Sequence, residues 1–162
     1  MNRMSETAHQ ERIVDQFTRQ ATPFSTAQTI TDANALRMIV EAAAPRPGDT
    51  VLDVACGGGL VVCAFAPHVK HATGIDMTPA MLDRARQLAL EKGIANVGWE
   101  RGDVGSLPFP DGAFNIVVTR FSMHHFLDHL AVLREMTRVC APGGRVAVID
   151  MYASDDPAKA VE

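Results

Sequence analysis

Apolar residues are spaced differently on the two sides of residue 50. Before it, Ile13, Val14 and Phe17 fall at helical intervals in a polar stretch and predict an amphipathic N-terminal helix that ends before Pro23. Phe24 and the Ser/Thr-rich residues to Thr31 read as a loop. A second helix is predicted from Asp32 to Ala44, with Leu36, Ile39, Val40 and Ala43 on one face and Pro45, Pro47 and Gly48 as its stop. From Thr50 onward, short continuous apolar runs alternate with helical patterns. The runs are Val51 to Ala55, His71 to Ile75, Val97 to Arg101, Phe114 to Thr119 and Arg145 to Ile149.

Between these runs, Leu60 to Ala66 predicts a short helix, and Thr78 with Pro79 opens a longer one that closes at Gly93. Leu130, Leu133, Met136, Thr137 and Cys140 mark a last helix ending at Pro142-Gly-Gly144. Residues 102–113, with two prolines and Asp111-Gly112, predict a loop or a single helical turn. Strands without internal alternation, each followed by a crossover, predict an α/β fold: a parallel sheet of about five strands, doubly wound and covered on both faces.

Composition narrows the function classes. The 162 residues suit one domain, and 47% hydrophobic with 21% charged residues is ordinary for a globular chain. A net charge of −4 gives no electrostatic footprint for nucleic acid or an anionic membrane, so neither is expected as a partner. Cys56, Cys63 and Cys140 lack metal or disulfide spacing and read as free thiols; no metal site is expected. No apolar run approaches the length of a signal peptide or a bilayer span, which makes a cytoplasmic location the expectation.

Candidate chemistry gathers at the carboxyl ends of the strands, where ligands of open α/β sheets bind. Gly57, Gly58 and Gly59 follow the first strand; glycine there permits positive φ and close backbone approach to a ligand. A dinucleotide loop needs G-x-G-x-x-G, but counting from Gly57 places Val62 at the third glycine, and no phosphate loop with Gly-Lys-Ser/Thr is present. Asp76 ends the second strand, where a carboxylate accepts hydrogen bonds from ribose hydroxyls or, alternatively, favours a helix N-terminus. Asp103-Val104 follows the third strand, and Asp103 also reads as a simple turn residue. Thr119-Arg-Phe-Ser-Met-His-His-Phe126 follows the fourth; His124 and His125 are its candidates for proton transfer, although a packed, hydrogen-bonded histidine is the competing reading.

Four ordered segments give a specific resemblance: Val51-Leu-Asp-Val-Ala-Cys-Gly-Gly-Gly59, Gly74-Ile-Asp-Met77, Gly102-Asp-Val104 with Leu107-Pro-Phe-Pro-Asp-Gly112, and Arg138-Val-Cys-Ala-Pro-Gly-Gly144. Together they resemble the class I S-adenosylmethionine (SAM) dependent methyltransferases, in particular the small-molecule group containing the ubiquinone and menaquinone methyltransferases. The resemblance spans about Thr50 to Ile149 and implies a Rossmann-like sheet of order 3-2-1-4-5. It implies SAM as cofactor, with S-adenosylhomocysteine as product. The implied cofactor-binding residues are Asp53, Ala55, Gly57, Gly59, Asp76, Met77, Asp103, Val104, Arg120 and Phe121. In that scheme Asp76 holds the ribose, Met77 packs on adenine, Asp103-Val104 reads the adenine edge and Arg120-Phe121 flanks the methionyl group. Residues 1–48, with Phe17 and Phe24, are expected to lid the site, 49–152 to form the core, and 153–162 to be a tail.

Ala55 and Gly58 stand where the family often has Gly and Thr; both are small, and no loss of binding is expected. The resemblance also implies a further helix and a C-terminal antiparallel hairpin that the sequence does not reach. The chain is therefore expected to hold the cofactor half of a truncated domain, with strand five as an open edge suited to a homo-oligomer contact. The functional expectation is in-line methyl transfer from SAM to an O, N or C nucleophile of a small molecule. A non-catalytic SAM-binding or interaction protein is the alternative, and an NAD(P)-dependent oxidoreductase is disfavoured by the absent third glycine.

Overall fold

The computed structural model of the chain describes residues 3–26 and 31–151, with side chains described for 7–9, 11–19 and 31–151. Strand β1 (Thr50–Val54) is central, flanked by β2 (His71–Asp76) with β3 (Val97–Arg101) on one side and by β4 (Phe114–Arg120) with β5 (Cys140–Ile149) on the other. All pairings are parallel, and the order is β3-β2-β1-β4-β5, as the resemblance implies. Helices α1 (Arg3–Thr26) and α2 (Ala33–Ala43) precede the sheet. Helices α3 (Leu60–Phe65), α4 (Pro79–Glu91) and α5 (His129–Val139) connect its strands, while residues 102–113 cross from β3 to β4 as a loop. None of the described helices is long and apolar enough to cross a membrane.

Successive side chains of the central strands enter different cores, as the period of two demands. Val51, Ile116 and Val118 join a cluster with Val40, Val62 and Phe65 from α2 and α3. Leu52, Val54 and Val117 join the opposite cluster with Val132, Met136 and Val139 from α5. The second face has no helix between β3 and β4, and the loop supplies Val104 and Leu107 instead. Arg138 of α5 fastens that loop. Its guanidinium donates to Phe109 O and Asp111 Oδ1 at 2.8 Å and to Leu107 O at 3.0 Å, while Glu135 takes Leu107 N–H at 2.7 Å.

The boundaries differ from expectation in four places. Helix α1 runs through Pro23 to Thr26; a proline in the last turn deletes a single N–H···O bond, and the breaking rule holds most strongly for helix interiors. Phe24 to Thr26 of the expected loop thus belong to α1, while residues 27–30, 152–162 and the Phe24 side chain lie outside what is described. Helix α5 stops at Val139, and Pro142-Gly-Gly144 lies within β5. Phe114 pairs with Cys140 but Ile116 pairs with Arg145, so the extra residues form a bulge with Gly143 at φ 74°. Strand β1 ends at Val54, because Ala55 has φ 59°.

The two outer positions of the glycine loop serve different purposes. Gly57 has φ 49° and open space where a Cβ would stand. At Gly59, with φ 80°, a Cβ would lie 2.6 Å from the Trp99 ring and 2.8 Å from Ala85 Cβ. Gly59→Ala is therefore expected to destabilise by about 3 kcal/mol, combining overpacking with a left-handed backbone, whereas Gly57→Ala costs about 1 kcal/mol. Ala55→Gly, at a position where alanine is already left-handed, is expected to stabilise by about 0.5–1 kcal/mol. Urea unfolding followed by circular dichroism ranks the three; equal losses at positions 57 and 59 would refute the distinction.

Candidate functional site

A cavity of about 300 Å³ opens at the carboxyl ends of β1, β2 and β4, beside the position where strand order reverses. Asp53, Ala55, Gly57 and Gly58 line it from β1 and the glycine loop, and Asp76 and Met77 from the end of β2. Asp103 and Val104 enter from the crossover loop, and Arg120 and Phe121 from the end of β4. Of the ten expected cofactor residues only Gly59 is absent from the wall; it faces Trp99 and Ala85 instead.

Asp76 joins two segments. Its Oδ2 accepts the Gly57 N–H at 2.9 Å and its Oδ1 accepts the Thr78 N–H at 2.8 Å. The first bond fixes the glycine loop and the second fixes the residue that caps α4. The Thr78 hydroxyl and the Met77 N–H also bear on this carboxylate, so ribose hydroxyls would share oxygens that already serve the loop. Asp103 likewise serves its own turn, accepting Gly105 N–H at 2.9 Å, while lining the cavity.

The electrostatics are dominated by buried carboxyls. Asp53, 2% exposed, is pushed well above the usual carboxylate range by burial and then by repulsion from Asp76, with Arg120 pulling the other way. Burial also raises Asp76, against the opposing effect of its backbone N–H bonds. Arg120 is 9% exposed and lies 4.3 Å from the centre of the Phe121 ring, with Asp53 and Asp32 supporting a charge that burial opposes. Phe121 is held at φ 56°. Strain of this kind, shared with Ala55, collects on the two backbone stretches bordering the cavity.

The two candidate histidines separate. His125 lines the cavity; its ring meets Phe17 of α1 edge-on, with centroids 5.0 Å apart. Burial and the neighbouring His124 and His9 hold its pKa below the ordinary histidine value, against the pull of Asp150, so the ring is neutral at neutral pH. His124 is not in the wall; its Nδ1 bonds Asp150 Oδ1 at 2.8 Å. Thr119 and Ser122 lie behind the turn that carries both. Thr119 Oγ1 donates to Val54 O at 2.7 Å, so the short bond between the two hydroxyls is donated by Ser122.

Among the lining residues that the sequence did not single out for the site are His9 and Ile13 of α1 and Asp128 at the start of α5. His9, Ile13 and Phe17 line the cavity from one helical stripe at intervals of four, and His9 Nε2 donates to His125 O at 3.0 Å. The apolar part of that stripe is visible in the sequence, and the resemblance implies Phe17 over the site, but nothing marks His9 as belonging with it. Helix α2 does not lid the cavity; Val40 and Ala43 belong to the core beneath the sheet. Asp150 had no motif to signal it.

The site's donors suit SAM. The molecule presents a cationic sulfonium and ammonium, a carboxylate, a ribose diol and adenine, and here Asp53, Asp76, Asp103 and Asp128 line a cavity shared with Arg120 and backbone N–H groups. Comparison with known proteins leads to the same place. Residues 51–144 match the family model for a methyltransferase domain. Over 141 residues, 87% of this chain and 56% of the relative, it is 36% identical to the uncharacterized methyltransferase YcgJ of Bacillus subtilis. The crystal structure of YcgJ superposes with a TM-score of 0.72 over 77% of this chain and 53% of that one, at 38% identity. The demethylmenaquinone methyltransferase of Listeria monocytogenes is 39% identical over 68% of this chain and 48% of its own length. The chain thus spans about half the length of the curated relatives it matches. On the matched domain, the strand order and the placement of the glycine loop, the chain belongs to the class I SAM-dependent methyltransferases.

Proposed function

We propose that this domain binds SAM in the cavity and directs its methyl group to a small aromatic nucleophile, with His125 accepting the proton that the nucleophile gives up. The observation that carries this reading is that the buried carboxyls of Asp53 and Asp76 and the ring of His125 line one continuous cavity. When bound, SAM supplies a methyl carbon already activated by the adjoining sulfonium, so no residue is needed to polarise the bond that breaks. Asp76 and the glycine loop bind, Arg120 and Phe121 border the reacting region, and α1 excludes water. Alignment of the nucleophile opposite the sulfur is the protein's main contribution, a term able to supply ~7–11 kcal/mol. A depressed histidine accepts a proton at neutral pH without first having to lose one.

The aromatic acceptor is supported by the relatives and the wall. Besides the Listeria protein, the 2-phytyl-1,4-naphtoquinone methyltransferase of Synechococcus elongatus is 38% identical over 75% of this chain and 54% of its own length. The acceptor side of the cavity carries Ile13, Phe17, Phe126 and Leu127, an apolar surface suited to a ring. Cys56, Cys63 and Cys140 are unpaired thiols, which suits the reducing cytoplasm as the place of reaction.

Asp76→Ala is expected to weaken SAM binding at least tenfold, from loss of about 1.5–3 kcal/mol of charged hydrogen bonding, with the chain still folded. Calorimetry at unchanged affinity would remove Asp76 from the site. The pH dependence has a definite sign. Asp53 and Asp76 hold protons above the usual carboxylate range, and a cationic ligand favours their charged forms. SAM affinity is therefore expected to rise with pH through the raised values and then level off, with protons released on binding. Calorimetry in buffers of different ionisation enthalpy measures that release, and Asp53→Asn reduces it.

The same shifts oppose folding at neutral pH. The unfolded chain gives up these protons first, so this part of the stability of the ligand-free protein is fullest below the ordinary carboxyl range and is lost as pH rises through the raised values. Asp53→Asn is expected to raise the unfolding temperature at neutral pH while binding SAM less well. A lower unfolding temperature would show that the charged Asp53 is net stabilising.

A further inference from the structure

We infer that Asp150, acting through His124, is a positioning residue that sets His125 in the cavity for the acceptor. Asp150 follows directly from β5 and reaches sideways to the tight turn Met123–His125 after β4. Its two oxygens take two different groups of one residue: Oδ2 accepts the His124 N–H at 3.2 Å, and Oδ1 pairs with His124 Nδ1 at 2.8 Å. The carboxylate is 19% exposed and the imidazole 41%, so the pair stands at the rim rather than in the wall. The His124 ring in turn lies 4.0 Å, centre to centre, from the ring of His125, tilted by 50°.

His125 is thereby held from three sides. The His124 ring supports one, the edge contact with Phe17 another, and its carbonyl receives His9 Nε2–H. Without Asp150 the turn keeps its Phe126 N–H to Met123 O and His125 N–H to Ser122 O bonds at 3.0 Å, and Phe121 N–H still reaches Ile149 O at 2.8 Å, but His124 loses both of its bonds to the end of β5. The His125 ring then rests on the Phe17 edge contact and on a His124 ring that nothing anchors to β5. The groups that face it are His9, His124 and Asp150. Asp150, the one anion among them, favours its protonated form.

The kinetic part of this inference rests on the methyl-transfer reading, so the test has an arm that does not. In the cofactor-free protein, histidine ring resonances are followed by NMR across pH in wild type, Asp150→Asn, Asp150→Ala and His124→Ala. The amide in Asp150→Asn keeps an acceptor for the turn but carries no charge. His125 is expected to titrate at lower pH in Asp150→Asn, and its contact with the Phe17 ring is expected to weaken in Asp150→Ala. Unaltered His125 resonances in all three variants overturn the inference, whatever the enzyme does.

In the kinetic arm, with SAM and 1,4-naphthohydroquinone as acceptor probe, Asp150→Ala is expected to lower kcat/KM for the acceptor on the order of 100-fold, the scale of an angstrom of misplacement. Affinity for SAM stays within about twofold of wild type, since the clamp touches none of the cofactor residues. Asp150→Asn restores most of the rate, with the acid limb of its pH profile moved down. The Asp150→Ala/His124→Ala double variant is no slower than Asp150→Ala alone. Multiplying effects, or a matching loss of SAM affinity, would overturn the positioning role. A wild-type chain that binds SAM yet transfers nothing to the probe, with the NMR shifts present, counts against the methyl-transfer reading and leaves the clamp standing.

Discussion

The carboxylate of Asp76 takes Gly57 N–H on one oxygen and Thr78 N–H on the other, in a place only 8% exposed. Burying a carboxylate is costly unless its lone pairs are occupied, and each of these bonds offsets part of that cost. The same two bonds decide where the glycine loop and the start of α4 stand relative to each other. Asp53 lies close enough to raise the shared electrostatic strain, and Arg120 comes from the far side of the switch point to relieve it. The floor of the cavity is thus a coupled set of buried ionisable groups, not a neutral surface onto which charges were placed. Its cost to folding is what makes it responsive to a cationic ligand.

The acceptor side follows another logic. There the sheet contributes its strand ends, and the working groups come from a tight turn and a helix that lies outside the sheet. His125 reaches the cavity because three separate segments meet at it: α1 through His9 and Phe17, the turn through His124, and β5 through Asp150. Strand ends carry the residues proposed to hold the cofactor, and a meeting of three segments carries the proposed proton acceptor. On the proposed reading, the sheet alone defines the cofactor side, independently of the acceptor geometry built above it.

The sheet and the cofactor side were legible because they depend on local features. Continuous apolar runs, glycines after a strand and an acid at a strand end leave marks within a few residues of one another. The boundaries that failed depend on distant partners. Nothing near Pro142-Gly-Gly144 indicates that Cys140 will already pair with Phe114. Gly59 was read as a ligand contact because glycine allows both close approach and tight packing; Trp99, forty residues away in sequence, decides between them. Asp150 and His124 are likewise separated by 26 positions. Arg138 stood inside a recognised motif, but its purpose emerged only with the loop carbonyls it holds.

The packing of Trp99 under the glycine loop has an optical consequence. It is the only tryptophan in the chain, and its ring abuts Gly59, Gly74 and, through them, the backbone turn that forms the cofactor floor. The indole is therefore a single chromophore set one layer behind the binding surface, where it senses the loop without touching what the loop holds. Its emission reports loop rearrangement with no label and no competing tryptophan signal. The close approach that forbids a side chain at Gly59 also gives the domain an intrinsic gauge of its own occupancy.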